Sequence, residues 1–219
     1  MDFIMKDIFA VWKPKGMTSH DVVNAVRRAT GIKKVGHAGT LDPLAEGVLV
    51  VGVGRDATKQ LGDIVAKEKE YVAEVLLGTT SSTDDEEGEK TKRNVSIQPS
   101  KKDVEKVIKS FIGRSMQAPP RYSALKVGGV PAYAYARAGK AVELKERQIM
   151  VKEMELVSYV YPFVCFRTVT GPGVYVRALA RDMGERLHTG GYLTALTRTR
   201  VGAFTGKDAC VLSELKKAL

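Results

Sequence analysis

Only two of the 219 residues are cysteines, Cys165 and Cys210, and they lie far apart. Such a pair offers neither a disulfide framework nor the spacing of a metal site. The three histidines, His20, His37 and His188, are equally scattered, so no zinc-binding pattern is present. Within Val164-Cys165-Phe166 the first cysteine reads as a small core hydrophobe. No run of about 18 uncharged apolar residues occurs, so no membrane-spanning helix is expected. Acids interrupt Met1-Asp2-Phe3-Ile4-Met5-Lys6-Asp7 too early for a secretory signal, and the expectation is a cytoplasmic protein. Repeats, low-complexity stretches and long linkers are lacking as well. One domain over residues 1–219 is the simplest organisation.

Acids are scarce in one place above all. The chain carries 35 basic and 25 acidic residues, a net charge of +10, and such a balance favours anionic partners. From Arg114 to Val142 there are five basic residues (Arg114, Arg121, Lys126, Arg137 and Lys140) and no acid, with Tyr122, Tyr133 and Tyr135 among them. Cations supply phosphate contacts and aromatic faces supply stacking for unpaired bases. A solvated basic face over core tyrosines has the same composition, and both readings stand at this point.

Apolar spacing predicts the elements. Phe9 to Trp12 reads as a short strand, stopped by Lys13-Pro14-Lys15-Gly16. Ser19 is a candidate N-cap for a helix with Val22, Val23, Val26 and Ala29 on one face, ended by Gly31. Val48–Val53 and Tyr71–Leu77 read as strands, the polar stretch Thr79–Lys92 as a loop, and Lys101–Phe111 as a helix. Met150–Val160 and Phe163–Val169 read as strands joined at Pro162, and Val174–Leu187 as a helix. Strands and helices mix without regular alternation, which predicts an α+β fold.

Four segments invite a functional reading. In Gly36-His37-Ala38-Gly39-Thr40-Leu41-Asp42-Pro43-Leu44-Ala45-Glu46-Gly47 the local rules make Asp42 a helix N-cap, with Pro43 at the first helical position. The same loop carries little side-chain bulk, Pro43 holds Asp42 extended, and His37 lies five residues away. A carboxylate held there can act as nucleophile, base or charge stabiliser. Gly52-Val53-Gly54-Arg55-Asp56-Ala57 fits a dinucleotide fingerprint, with Glu74 near the distance of a ribose-binding acid. No succession of βαβ units follows, however, and a tight strand-to-helix turn explains it equally. The run Asp84-Asp85-Glu86-Glu87-Gly88 misses calcium-loop spacing, since Thr83 and Asn94 would fill the terminal ligand positions. Arg177 follows the turn Gly171-Pro172-Gly173 and falls in the first turn of a helix. A cation there opposes the helix dipole and calls for an anionic partner.

Taken in order, these segments resemble the TruB family of tRNA pseudouridine synthases along nearly the whole chain. Lys13-Pro14-Lys15-Gly16-Met17-Thr18-Ser19 resembles the family's first motif, and Gly36 to Gly47 its catalytic motif. Lys69-Glu70-Tyr71, Pro119-Pro120-Arg121-Tyr122-Ser123-Ala124-Leu125-Lys126 and Gly173-Val174-Tyr175-Val176-Arg177 resemble three further signatures. Each motif alone is weak, and five in order are specific.

The resemblance implies the pseudouridine-synthase fold, a central mixed and largely antiparallel sheet flanked by helices and loops. It implies conversion of uridine to pseudouridine at position 55 in the T stem-loop of tRNA, by a monomer needing no cofactor and no metal. Asp42 takes the place of the catalytic aspartate, Tyr71 that of the tyrosine stacked on the target base, and Arg177 that of the aspartate's charge partner. His37 matches the histidine at the space left by the flipped base. Tyr175 and Leu196 match residues lining the uracil pocket, Asp85 matches a supporting acid, and Lys13 belongs with the substrate-binding residues. Ser81-Ser82-Thr83 stands where the family usually has Thr-Asp-Thr. Bacterial members commonly add a C-terminal PUA-type RNA-binding module, which is not expected before Leu219. Two other functions remain open on sequence: a tRNA-folding chaperone without chemistry, and a guide-RNA-dependent synthase.

Overall fold

A computed structural model describes residues 7–140 and 142–215. The opening residues Met1 to Lys6, on which the absence of a secretory signal was read, and the terminal Leu219 lie outside the described residues. The described residues group into two units. One holds the residues up to Val72 together with those from Leu196 onward, and the other holds Ala73–Ala195.

The first unit is organised on an apolar strand. Its strands are β1 (Ile8–Lys13), β2 (Val35–Ala38) and β3 (Glu46–Val53), and its helices α1 (Ser19–Thr30) and α2 (Arg55–Val65). β3 pairs antiparallel with β1 and with β2. Successive side chains of a strand point to opposite faces. Leu49, Val51 and Val53 therefore join Phe9, Val11, Val22, Val23 and Val26 in one core cluster under α1. Val48 and Val50 join Ala10, Ala38 and Leu61 of α2 in another. Burial on both faces is why β3 reads as an unbroken apolar run. Helix α1 starts on Thr18, whose hydroxyl accepts from Asp21 N while the Asp21 carboxylate accepts from Thr18 N, a reciprocal capping box. Gly31 ends it at φ 69°.

The second unit takes up residues of β4 (Lys69–Leu77), then the hairpin β5 (Thr79–Ser81) and β6 (Lys90–Lys92), α3 (Lys101–Lys109) and β7 (Gly113–Gln117). A two-residue hairpin, β8 (Lys126–Val127) and β9 (Val130–Pro131), leads to the short α4 (Ala132–Arg137). β10 (Arg147–Val160) and β11 (Phe163–Thr170) pair antiparallel, and β7 lies antiparallel on the other side of β10. α5 (Val176–Arg186) follows. β12 (Gly191–Val201) leads back to the first unit, where Thr197 and Arg198 pair in parallel with Glu46 and Gly47. β13 (Phe204–Thr205) pairs antiparallel with β12, and β14 (Ala209–Val211) parallel with β1. The content is the expected α+β, with mixed and largely antiparallel pairing.

Several local expectations are corrected. Asp42 caps no helix: residues 43 and 44 form a turn, and the chain enters β3 at Glu46. His37 lies on β2 and not in a loop. Thr18, not Ser19, caps α1. The stretch Thr79–Lys92 is closed by the β5–β6 hairpin, in which the Ser82 hydroxyl accepts from Glu89 N at 3.0 Å. α5 begins at Val176, so Tyr175 is its N-cap residue. Cys165 is half-buried, not a core residue. The Gly52–Ala57 turn does open a helix, but the parallel neighbour of β3 is β12, more than 140 residues on, so no βαβ unit forms. A Cβ on Gly52 would stand 3.1 Å from Leu61 and 3.2 Å from Ala57, so close packing of α2 explains that glycine.

Gly47 has φ 114°, and a Cβ there would collide with the backbone of Arg198. Gly47→Ala is expected to cost on the order of 3 kcal/mol, from backbone strain and overpacking together. Thr18→Ala, which removes a cap, is expected to cost about 1 kcal/mol. Urea midpoints of the two variants check the ranking, and a larger loss for Thr18→Ala would contradict it.

Candidate active site

Asp42 lies in the connection between β2 and β3, and that connection is held from three directions. The Ser19 hydroxyl donates to Leu41 O at 3.0 Å and accepts from Leu41 N at 2.8 Å. Gly16 N donates to Pro43 O at 2.7 Å. From β12, the fully buried Arg198 donates to Gly39 O at 2.9 Å, Thr40 O at 3.5 Å and Val48 O at 2.8 Å. Leu41, Leu44 and Ala45 are buried beside the half-buried Asp42. A short turn, Ala45 N to Asp42 O at 3.1 Å, completes the loop. The Ser19 and Gly16 contacts tie the Lys13 to Ser19 segment to the Asp42 loop.

Buried cations surround this loop. Lys13 is inaccessible to solvent and donates to Met17 O at 2.6 Å and Pro14 O at 3.0 Å. Burial lowers its pKa to about 8, attraction to Asp42 acts in the opposite sense, and the Arg198 charge adds to the lowering. Lys69 donates to Val65 O and Lys67 O at 2.8 and 2.9 Å. Burial first and Arg198 second lower its pKa to about 8. Burial, then Arg198 and His20, also lower the pKa of half-buried His37, whose Nδ1 is buried with no hydrogen-bond partner. Tyr71 on β4 and Leu196 on β12 are buried in the same unit.

Asp85, Tyr175 and Arg177 belong to the second unit. The anion facing Arg177 there is Asp85, at 3.2 Å, with both side chains almost wholly buried. Arg177 also donates to Thr83 O at 3.1 Å and Tyr122 O at 2.8 Å. Asp85 accepts from Glu87 N at 3.0 Å and from the Thr83 hydroxyl. Thus the cation near the start of α5 acquires a partner as the dipole argument requires. Tyr175 is set by the buried Gln117, which accepts from Tyr175 N at 3.0 Å and donates to Tyr175 O at 3.2 Å. The Arg147 guanidinium stacks over the Tyr175 ring at 4.4 Å.

In the basic segment, Arg114, Arg121, Lys126, Arg137 and Lys140 are all exposed, and Tyr122, Tyr133 and Tyr135 are not core residues. Arg137 stacks on Tyr133 at 5.5 Å. Among the described residues no group of three or more His, Cys, Asp or Glu side chains is placed to hold a metal ion. None of the described helices is long and apolar enough to cross a membrane.

Arg198 and Gln117 escaped the sequence reading, and Lys69 entered it only as the first residue of the Lys69-Glu70-Tyr71 motif. One signal for Arg198 was present, since Leu196 and Arg198 share a strand face by period two, but a charge on an apolar face is read as exposed by default. For Gln117 no local signal exists.

In the folded chain Lys13 and Lys69 lose their protons near pH 8, against 10.5 for an ordinary lysine. Between those values the unfolded chain binds more protons than the folded one, so these two groups make stability rise with pH. The stability of the wild type relative to a Lys13→Met, Lys69→Met variant is therefore expected to increase from pH 7.5 to 9.5. Urea midpoints at both pH values test this, and a constant difference would contradict it.

Residues 27–176 match the TruB family pseudouridylate synthase N-terminal domain, and residues 177–219 match the tRNA pseudouridylate synthase B C-terminal domain. The protein named tRNA pseudouridine synthase B of Thermobifida fusca (strain YX) is 46% identical over 216 residues, covering 95% of this chain and 73% of that protein. Its counterpart of the same name in Oceanobacillus iheyensis is 42% identical over 218 residues, covering 98% and 72%. Among solved structures, a chain from the crystal structure of a Cbf5-Nop10-Gar1 complex superposes with a TM-score of 0.75 at 28% identity. The alignment covers 96% of this chain and 53% of the other, so this chain spans about half of its length. A family model matching residues 27–176, and relatives 42–46% identical over 95% or more of the chain, place the chain in the TruB family of pseudouridylate synthases.

Proposed function

We propose that this chain converts uridine to pseudouridine in tRNA, at position 55 of the T loop, with Asp42 as nucleophile. The observation that carries the proposal is the 46% identity over 95% of the chain to a protein named tRNA pseudouridine synthase B. The relatives at 42–46% identity are named for tRNA as substrate, which favours a synthase acting on tRNA directly over one that needs a guide RNA. A chaperone without chemistry would have no use for a carboxylate loop anchored on both flanks.

The reaction is an isomerisation. The C1′–N1 bond of the target uridine breaks, the uracil turns while held, and C5 bonds to C1′. The C5 proton leaves and N1 gains one, so nothing is oxidised or consumed. The target base must first leave its stack, at roughly a few kcal/mol. Asp42 supplies the attacking carboxylate, and Arg177 is its charge partner, since a nearby cation favours the ionised form. Tyr71 stacks on the base and assists proton movement. Tyr175 and Leu196 line the uracil pocket, His37 faces the space vacated in the RNA, and Asp85 orients Arg177. Lys13 contributes positive charge on the substrate side of the loop. No metal or cofactor enters these steps. The exposed cations of Arg114–Lys140, with the exposed Tyr133, grip the RNA backbone and unpaired bases. The enzyme acts as a monomer in the cytoplasm, where tRNA matures.

Release of tritium from C5-labelled uridine in a tRNA transcript, without guide RNA, is the test. Wild type is expected to release it, and Asp42→Asn to be slower by about a thousandfold or more, the scale set by removal of a nucleophile. No release by the folded wild type, or full release by the variant, would overturn the proposal.

A further inference from the structure

Two arginines one turn apart on α5, Arg177 and Arg181, meet two adjacent acids, Asp85 and Asp84. Arg181 donates to Asp84 Oδ2 at 2.9 Å and to Ala118 O at 2.9 Å, and also contacts Asp182. Arg177 takes Asp85 and Tyr122 O. The segment Ala118-Pro119-Pro120-Arg121-Tyr122 is therefore held at both ends by one helix, and its two prolines are buried. Asp84 sits at φ 61°, unusual for a residue other than glycine. In that conformation its carboxylate meets Arg181 while its carbonyl accepts from Leu193 N at 3.1 Å. Immediately beyond the gripped residues comes the exposed basic and aromatic stretch from Arg121 to Lys140.

We propose that Arg181 and Asp84 are a positioning pair for RNA binding: by anchoring Ala118 to α5 they fix the base from which the Arg121–Lys140 segment meets the substrate. This rests on the tRNA proposal for its substrate. Neither residue touches the reacting atoms. Without the anchor, ordering of the segment is deferred to the binding step and weakens it. A planar guanidinium serves both acceptors at once, which a lysine ammonium does less well.

The measurements are tritium-release kinetics on a tRNA transcript, and fluorescence anisotropy with a labelled T-arm RNA hairpin. Arg181→Ala is expected to raise KM and the hairpin Kd about tenfold while kcat stays within about threefold. Arg181→Lys recovers part of the loss, and Asp84→Asn, which keeps the shape, shows the same sign at smaller size. A role in stability alone would lower the active fraction, and hence kcat, and leave KM in place. Unchanged KM and Kd in the folded variants, or a fall in kcat alone, overturns the inference. If Arg181→Ala does not fold, Arg181→Lys and Asp84→Asn decide it. An inactive wild type would sink the tRNA proposal, while hairpin anisotropy still judges the positioning pair.

Discussion

Burial of the Arg198 guanidinium is the constraint on which the first unit depends. A guanidinium cannot shed its charge, so it can be buried only with its donors occupied. Backbone carbonyls occupy them: Val48 at the start of β3, and Gly39 and Thr40 at the start of the Asp42 loop. Strand and loop are thus fixed by one planar group, and charged hydrogen bonds of this kind contribute about 1.5–3 kcal/mol each. Gly47 follows from the same constraint, because β3 must pass against the Arg198 backbone where a side chain has no room.

The second unit handles its buried and half-buried cations differently. Arg177 and Arg181 are matched by Asp85 and Asp84, with Thr83 O and Tyr122 O as backbone acceptors for Arg177 and Ala118 O for Arg181. Burial raises the pKa of Asp84, the Asp182 charge adds to the rise, and the two arginine charges work against it. Breaking such a buried pair costs more than the pair contributes, since the remaining charge is stranded. The consequence is a joint that keeps one geometry where the basic segment from Arg121 to Lys140 begins.

Much of the fold was legible where apolar periodicity was strong. α1, α3, β3, β10 and β11 follow from runs and faces that any partner would bury. Failures fall where tertiary contacts overrule local preference. Asp42-Pro43 has the chemistry of a helix start, and a single turn does form from Asp42 to Ala45. It goes no further because Gly47 pairs with Lys13 of β1 on one side and Arg198 of β12 on the other. Thr79–Lys92 looked like a loop because its strands are polar and short. For the candidate site, ordered motifs pointed to the Asp42 loop and to Arg177. They did not expose Arg198 or Gln117, which act on backbone from within the core. Such residues leave no spacing signature, since the atoms they hold carry no side-chain identity.

The two ways of burying charge bear on how a carboxylate can work here. Around Asp42 the first unit gathers Lys13, Lys69 and Arg198, whose donors are largely committed to carbonyls, and carbonyls carry no net charge to cancel theirs. Burial is the largest cause that lowers the pKa of Lys13, Lys69 and His37, and the Arg198 charge adds to the lowering at each, while at Lys13 the acids Asp42, Asp21 and Glu46 act against it. Attraction between Lys13 and Asp42 is mutual, so a charged Lys13 favours an ionised carboxylate. An acid pairing each cation, as in the second unit, would cancel more of that charge. Satisfying the cations with backbone preserves the charge while meeting the demand for hydrogen bonds. This is how a loop poor in side chains can hold a carboxylate beside buried cations.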